Sequence, residues 1–278
     1  MTGYIPLADW VDRAVEYITV HWAGFFGVLK DIIYFVWNNI EQVIAFIPWW
    51  VLIVLLALVG WRTAGRGVAL LTVLGLFLIQ GLGMWGGMVR TLSLVVTAII
   101  ICVLMGIPLG IWAARWNAVH AAIRPVLDFM QTMPSFVYLI PALMLFGLGP
   151  VPALISIVVF AMPPLVRLTD LGIRQVAPEL VEAARAFGST PNQILVKVQL
   201  PLALPTIMAG INQAIMLALS MSVIASMIGA GGLGTEVLYG ITRVQVGRGF
   251  VGGISIVIVA VILDRLTQAI RQKNGKGV

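Results

Sequence analysis

The sequence predicts an all-α polytopic membrane protein: about seven transmembrane helices preceded by an amphipathic surface helix. Hydrophobic residues make up 60% of the 278-residue chain and charged residues only 10%, against roughly 25% charged in an ordinary soluble domain. The mean hydropathy is +1.05. Apolar runs of membrane length recur along the chain, separated by short segments that hold most of its Arg and Lys. A chain of this length has room for one compact bundle of such helices and little for a separate soluble domain.

The opening stretch, MTGYIPLADWVDRAVEYITV, places Asp9, Asp12 and Glu16 where a secretory signal would carry positive charge and an apolar core, so it is expected to be retained. Over residues 25–47, Phe25, Leu29, Ile32, Val36, Ile40, Val43 and Ile47 recur at steps of three or four, while Lys30, Asp31, Asn38, Asn39, Glu41 and Gln42 interrupt any continuous apolar run. That pattern is an amphipathic helix. It reads as lying at the membrane surface, with packing against the outer end of the bundle as the alternative.

Crossings are expected at about Val43 or Pro48 to Trp61, Val68 to Trp85, Thr91 to Ala114, Met133 to Gly149, Val151 to Leu168, Leu202 to Ile228 and Phe250 to Leu263. The chain then divides into an N-terminal segment 1–47, an accessory pair of crossings 48–87, a core 88–270 that includes a long loop 170–201, and a tail 271–278. Summing Lys and Arg on each side of these crossings gives twelve against five. The richer side, with Arg62, Arg115, Arg124, Arg167, Arg174, Arg185, Lys197 and Arg265 among its members, is expected in the cytoplasm. The N-terminus is then outside and the C-terminus inside a cytoplasmic (inner) membrane, and loop 170–201 faces the cytoplasm.

Several function classes are excluded or weakened. The basic residues are scattered in ones and twos, with no stripe for nucleic acid. Cys102, alone in an apolar run, makes neither a disulfide framework nor a cysteine metal site and reads as packing. Gly229 to Gly234, GAGGLG, fits the dinucleotide pattern G-x-G-x-x-G, but no strand precedes it and no acid follows at the distance a ribose would need. It reads instead as a break at the outer end of a crossing. An ion-coupled transporter usually leaves ionisable groups inside its crossings. Here Asp128 and Asp264 fall near cytoplasmic ends and His120 in a loop. No H-E-x-x-H or G-x-S-x-G occurs that would point to a membrane enzyme.

Loop 170–201 has explicit local grammar. Pro178, Glu179 and Glu182 suit the first turns of a helix, and Gly188 suits its stop. Thr190, Pro191 and Gln193 supply an N-cap, a first-turn proline and a capping-box partner for a second helix, which Pro201 is expected to end.

Within this loop, Glu182, Ala183, Ala184, Gly188, Leu200 and Pro201 resemble the EAA signature of ATP-binding-cassette (ABC) import permeases, with Val198 where that family more often has isoleucine. The resemblance continues through DFMQTMPSFVYLIPALMLFGLG, FAMPPLVRLTDLGIRQV, LALSMSVIASMIGAGGLG and ILDRLTQAI, over roughly Arg90 to Ile270. These stretches resemble the permease subunits of glycine betaine/proline importers, which implies a type I importer transmembrane fold, with choline, carnitine or methionine as the alternative cargo. It further implies a homodimer, two cytoplasmic ABC ATPase subunits that bind ATP and Mg in place of any cofactor in this chain, and an extracytoplasmic substrate-binding protein. Coupling to the ATPase is then expected at Glu179, Glu182, Ala183, Ala184, Gly188, Val198, Leu200 and Pro201. Glu182 either pairs with a base of the ATPase or only favours its own helix terminus. Candidates for the translocation path are Phe136, Tyr138, Phe160, Asn212, Ser222 and Ser226, with Phe146, Gln213 and Ser220 beside them. An aromatic face would suit a quaternary ammonium. The alternative roles are packing for the aromatics and helix-to-helix bonding for the polar residues.

Overall fold

Every described element of the chain, in a computed structural model that describes residues 6–275, is helical. Two helices come first, α1 (Leu7–His21) and α2 (Ala23–Phe46), bent by 76° at their junction. α2 is fastened across one end of the bundle. Arg90 Nε donates to Glu41 Oε1 at 3.1 Å near one end of the helix, and Phe26 meets Phe146 edge-on with centroids 5.5 Å apart near the other. Leu29, Ile33, Val36, Ile40 and Ile44 are partly covered and Trp37 is buried, whereas Phe25, Ile32 and Val43 of the expected stripe face outward. Packing on the end of the bundle, the second of the two sequence readings, is therefore what this helix does.

A short hairpin follows, α3 (Trp49–Ala64) and α4 (Arg66–Gly81), whose two helices pack on each other and on the last helix. Each has 16 residues, or about 24 Å of rise, less than the ~30 Å of hydrocarbon. α5 (Trp85–Arg115) runs the full depth and leads to α6 (Asn117–Thr132) and α7 (Ser135–Phe146), which meet at a 100° bend before Pro134. α8 (Pro150–Arg174), α11 (Leu200–Ala225) and α13 (Val246–Gly275) complete the long helices. α9 (Pro178–Ala186) and α10 (Pro191–Ile194) lie between α8 and α11, and α12 (Leu233–Thr242) precedes α13.

Among the described residues four helical segments are long and apolar enough to cross alone, Trp85–Arg115, Pro150–Arg174, Pro191–Ile228 and Val246–Ala269. The count rises to six if each bent pair is one crossing. The sequence expectation of seven differs because hydropathy does not show that α3 and α4 have only 16 residues each, α4 giving way to Gly83 at φ +72° before the expected end at Trp85, or that the expected crossing 133–149 contains only the 12 residues of α7.

α8 is the buried centre. Leu154, Ile157, Ala161 and Leu165 are sealed between α5 on one side and α11 on the other. Close approach is possible because small residues line both seams. A Cβ added to Gly110 of α5 would stand 2.5 Å from Thr169 Cβ and 2.8 Å from the Val166 carbonyl oxygen. One added to Gly210 of α11 would stand 3.1 Å from Leu165 Cα. Lipid tails compete for apolar contact as well as a neighbouring helix does, so such seams hold by van der Waals fit.

GAGGLG is the break that its surroundings predict. Gly229, Gly231 and Gly232 have φ of +86°, +76° and +84°, a region open to glycine and strained for most other residues. The chain there crosses Arg90 and Thr91: Leu233 N–H donates to Thr91 Oγ1 at 2.8 Å, and Gly149 N–H to the Ile228 carbonyl at 2.9 Å.

Gly110→Val should force α5 away from α8 and destabilise the bundle by about 1–3 kcal/mol. The check is a thermal melt in detergent against Gly86→Ala, where an added Cβ meets nothing within 4 Å. Equal melting points for the two variants would refute the seam.

Candidate functional site

α8 leaves the bundle at Arg174, and the chain returns through α11. What lies between is a rigid elbow built from local bonds. Pro178 opens α9 with Glu179 in the first turn and Arg185 in the last, each on the side that the helix dipole favours. Ser189 N–H donates to the Ala184 carbonyl at 3.0 Å and Gly188 N–H to the Arg185 carbonyl at 2.9 Å. This is a Schellman stop, and Gly188 takes its left-handed position with φ +78°. Thr190 N–H then donates to Gln193 Oε1 at 2.8 Å and Gln193 N–H to Thr190 Oγ1 at 3.4 Å, a complete capping box for α10.

Pro201 does not end the second helix. α10 passes through a π-helical turn, Leu195–Gln199, directly into α11, with Pro201 in the first turn of α11. A proline cannot donate the backbone bond of an α-helix and its ring crowds the carbonyl four residues earlier, but the wider π turn opens the ladder at that point. Elbow and crossing are thus one continuous helix.

The elbow has a rooted side and a free side. Ile194 and Leu195 are buried, and Ala184, Val198 and Leu200 are partly covered. Glu179, Glu182, Ala183 and Pro201 are exposed. Leu180, Ala183, Ala184 and Phe187 fall at steps of three, one and three along one face of α9, and the Phe187 ring at its end is 90% exposed. An exposed apolar stripe of this kind is a candidate contact surface. Phe187 was not singled out by sequence reasoning; its place one helical turn beyond Ala183 was the available signal.

Charged residues clamp the root. Arg174 Nε donates to Asp170 Oδ1 at 2.7 Å, Nη1 to Asn117 Oδ1 at 2.8 Å and Nη2 to the Ala113 carbonyl at 2.7 Å. His120 Nδ1 is 2.6 Å from Asp170 Oδ2; the carboxylate can only accept, so this nitrogen carries the proton. The last turns of α8 are thereby tied to the end of α5 and the start of α6, and Arg115 at the end of α5 binds Asn192 of α10. His120 lies within α6 and not in a loop, and Asp170 is buried in α8. The spacing of Asp170 and Arg174 was a legible helix pair, whereas the approach of His120 from fifty residues away left no local mark. A cavity of about 280 Å³ bordered by His120, Arg124, Asp128, Arg167 and Arg174 lies beside the clamp, and one of about 500 Å³ separates α9 from the bundle at Val181 and Arg185.

Path candidates fall in several places. Phe136 is exposed on α7. Tyr138 is buried, its hydroxyl donates to the Met133 carbonyl at 3.3 Å, and its ring lies 6.3 Å from that of Phe160. Phe146 is buried against Phe26. Asn212 turns to Asp264 and Thr267 of α13. Ser222 and Ser226 are buried and donate to the Leu219 and Val223 carbonyls of their own helix. Tyr138 and Phe160 are together; Phe136, Asn212 and the serines do not join them. Among the described residues no three His, Cys, Asp or Glu side chains converge as a metal ion would require.

Comparison with known proteins places this geometry. The family described as "Binding-protein-dependent transport system inner membrane component" matches residues 106–276. The glycine betaine/carnitine transport permease protein GbuB of Listeria monocytogenes is 55% identical over 273 residues, covering 97% of this chain and 96% of its own. The glycine betaine transport system permease protein OpuAB of Bacillus subtilis is 52% identical over 271 residues, with 97% and 96% covered. The glycine betaine/proline betaine transport system permease protein ProW of Escherichia coli is 48% identical over 274 residues, covering 98% of this chain and 77% of its own. In fold, the chain is similar to a chain of the inward-facing MetNI methionine ABC transporter, with a TM-score of 0.64 at 22% identity over 69% of this chain and 95% of that one.

Asp170→Ala would leave Arg174 and His120 without their shared acceptor. Breaking a buried pair costs roughly 3–5 kcal/mol, and the partial exposure of Arg174 and His120 puts this case at or below the lower end. Limited proteolysis at residues 178–199 should quicken together with a fall in melting temperature; an unchanged cleavage rate would show that the clamp does not hold the elbow.

Proposed function

The chain belongs to the family of binding-protein-dependent transport system inner membrane components, and from that premise we propose that it forms the membrane path of an ATP-driven importer of glycine betaine and related quaternary-ammonium zwitterions. It is a multi-pass permease of the inner membrane. Support for the cargo comes from three relatives, each named for glycine betaine transport, that align with 97–98% of this chain. The single structural observation that carries the mechanism is the elbow, with an exposed apolar stripe on α9 and a helix that continues without a break into α11.

Two copies of the chain enclose the path, and a cytoplasmic ATPase docks on each elbow. ATP and Mg are bound there and not by this chain. A substrate-binding protein delivers cargo at the opposite end, where Arg90, Gly229–Gly232 and α2 lie. The basic residues at or beside the elbow, Arg115, Arg124, Arg167, Arg174, Arg185 and Lys197, support that end as the cytoplasmic one, with the N-terminus outside and the C-terminus inside.

Coupling follows from the elbow's bonds. Leu180, Ala183 and Phe187 give the ATPase an apolar seat, and the two small alanines at 183 and 184 let its surface approach closely. Glu179 and Glu182 border that seat and are available to bases of the partner. Gly188, Val198, Leu200 and Pro201 fix the angle between seat and crossing. When the ATPases close on ATP, a push on α9 reaches α8 through the Arg174 clamp and α11 through the π turn. Pro163, Pro164 and Pro205, inside these two helices, supply bends about which they can tilt.

Phe187→Ala removes the most exposed part of the seat, and Gly188→Val forces a branched residue into φ +78°. Both variants should insert in the membrane normally yet lower ATP-dependent glycine betaine uptake by about tenfold or more, as loss of a hot-spot residue does. The measurement is uptake into proteoliposomes holding the permease, its ATPase and its binding protein. Full uptake in both variants would move the coupling site elsewhere, and uptake driven by an ion gradient without ATP would refute the importer reading itself.

A further inference from the structure

Asn212 and Gln213 are consecutive on α11 and meet different surroundings. Asn212 Nδ2 donates to Asp264 Oδ1 at 3.1 Å, and Thr267 Oγ1 donates to Asn212 Oδ1. Gln213, about 100° further round the helix, is exposed, and among the described residues its amide has no hydrogen-bond partner. It stands about 20 Å of helical rise from Leu200 and about 22 Å from Ile228, near the middle of the segment. Met216, Ser220 and Met227 follow on the same strip and are exposed too. Ser220 Oγ reaches only its own helix, donating to the Met216 carbonyl at 3.1 Å.

A lipid face does not look like this. Past Arg66 and Gly67 in its first turn, the exposed side chains of α4, Leu70, Leu71, Val73, Leu74, Phe77 and Leu78, are all apolar. A primary amide turned to hydrocarbon would leave two donors and a carbonyl unsatisfied, which is why polar side chains at mid-membrane face a protein or a water-filled cavity. α7 touches α11 and exposes Phe136, Ile140 and Met144.

We propose that the strip Gln213, Met216, Ser220 and Met227 lines the water-filled route of the cargo, with a second copy of this chain closing the route opposite it, and that Gln213 is the group that meets a zwitterion in transit. The inference rests on the proposed function and assigns residues to it. The Gln213 amide donates N–H to the cargo carboxylate. The methylated ammonium has no N–H to offer, and the Phe136 ring face and the methionine sulfurs present it with polarisable surface. All these groups are neutral, so cargo is recognised without being held as an ion pair would hold it.

The test uses the complete complex of permease, ATPase and binding protein in proteoliposomes. Gln213→Cys, Ser220→Cys and Leu74→Cys are made separately in a Cys102→Ala chain, which removes the one native thiol, and each is exposed to a charged, membrane-impermeant methanethiosulfonate. Modification needs a thiolate in water, so the first two should react about tenfold faster or more than the Leu74→Cys reference. Equal rates at all three positions would overturn the route. In the second arm, Gln213→Leu should lower glycine betaine uptake about tenfold, with partial recovery in Gln213→Asn, the loss expected when a site's polar contact is removed. Unchanged uptake in Gln213→Leu would overturn the contact. Fast modification in a complex that takes up no glycine betaine would keep the strip as the route and overturn the cargo of the proposed function instead.

Discussion

Helices in a bilayer gain little by hiding apolar surface from each other, because the tails they displace are equally apolar, so what holds α8 between α5 and α11 is contact at a range that a Cβ would forbid. Gly106 and Gly110 bring α5 against Leu165 and Thr169, and Gly172 and Gly210 bring α11 against the other side of α8. This fit decides which parts of the molecule move together. α8 and α11 are the helices that send out and take back the elbow, and they share the most closely packed seam. A force applied to the elbow therefore displaces both, and through Gly110 it displaces α5.

Charge enters where the fit ends. At the mouth of the seam, Arg174 binds α8, α6 and α5 at once through Asp170, Asn117 and the Ala113 carbonyl. A guanidinium offers five N–H groups in a fixed plane, which is what lets a single side chain brace three helices. Beyond it the elbow is stiff, since its turn is closed by the Schellman bonds and its second helix by a reciprocal cap. The π turn before Pro201 is irregular. Its wider backbone ring over Leu195–Gln199 departs from the α-helical ladder and lets Pro201 follow in the first turn of α11 without ending the helix.

Much of this was legible from residues alone because the signals were local. Pro178, Gly188, Thr190 and Gln193 each act within five positions of themselves, and their caps and stop are present as spacing predicted. GAGGLG was correctly separated from a dinucleotide loop by what it lacked on either side. Other features depend on partners that sequence distance hides. Pro201 looked like a terminator because proline usually is one, and only a π turn, which leaves no compositional trace, allows the helix to run on. His120 looked like a loop residue until the fold brought it to Asp170. The amphipathic stripe of α2 was visible, but whether its apolar side would meet lipid or the bundle depended on Arg90, forty-nine residues beyond Glu41. Two expected crossings, 68–85 and 133–149, were overlong for a similar reason, since hydropathy continues through Gly83 and Gly147, where the helices stop.

The distribution of ionisable groups also bears on where the work comes from. Among the described residues the ion pairs gather at the two ends of the bundle: Glu41 with Arg90 and Glu236 with Arg248 at one, Asp128 with Arg167 and Asp170 with His120 and Arg174 at the other. Asp264 accepts bonds from the amides of Asn212 and Gln268 and serves to join α11 to α13. Between the ends, the outward-facing strip of α11 carries polarity only as an amide and a hydroxyl. A carrier driven by ions needs charge at mid-membrane to bind them and to change shape when they leave. The groups exposed on that strip are neutral, and the carboxylate at the same depth, Asp264, is turned away from it and held by Asn212 and Gln268.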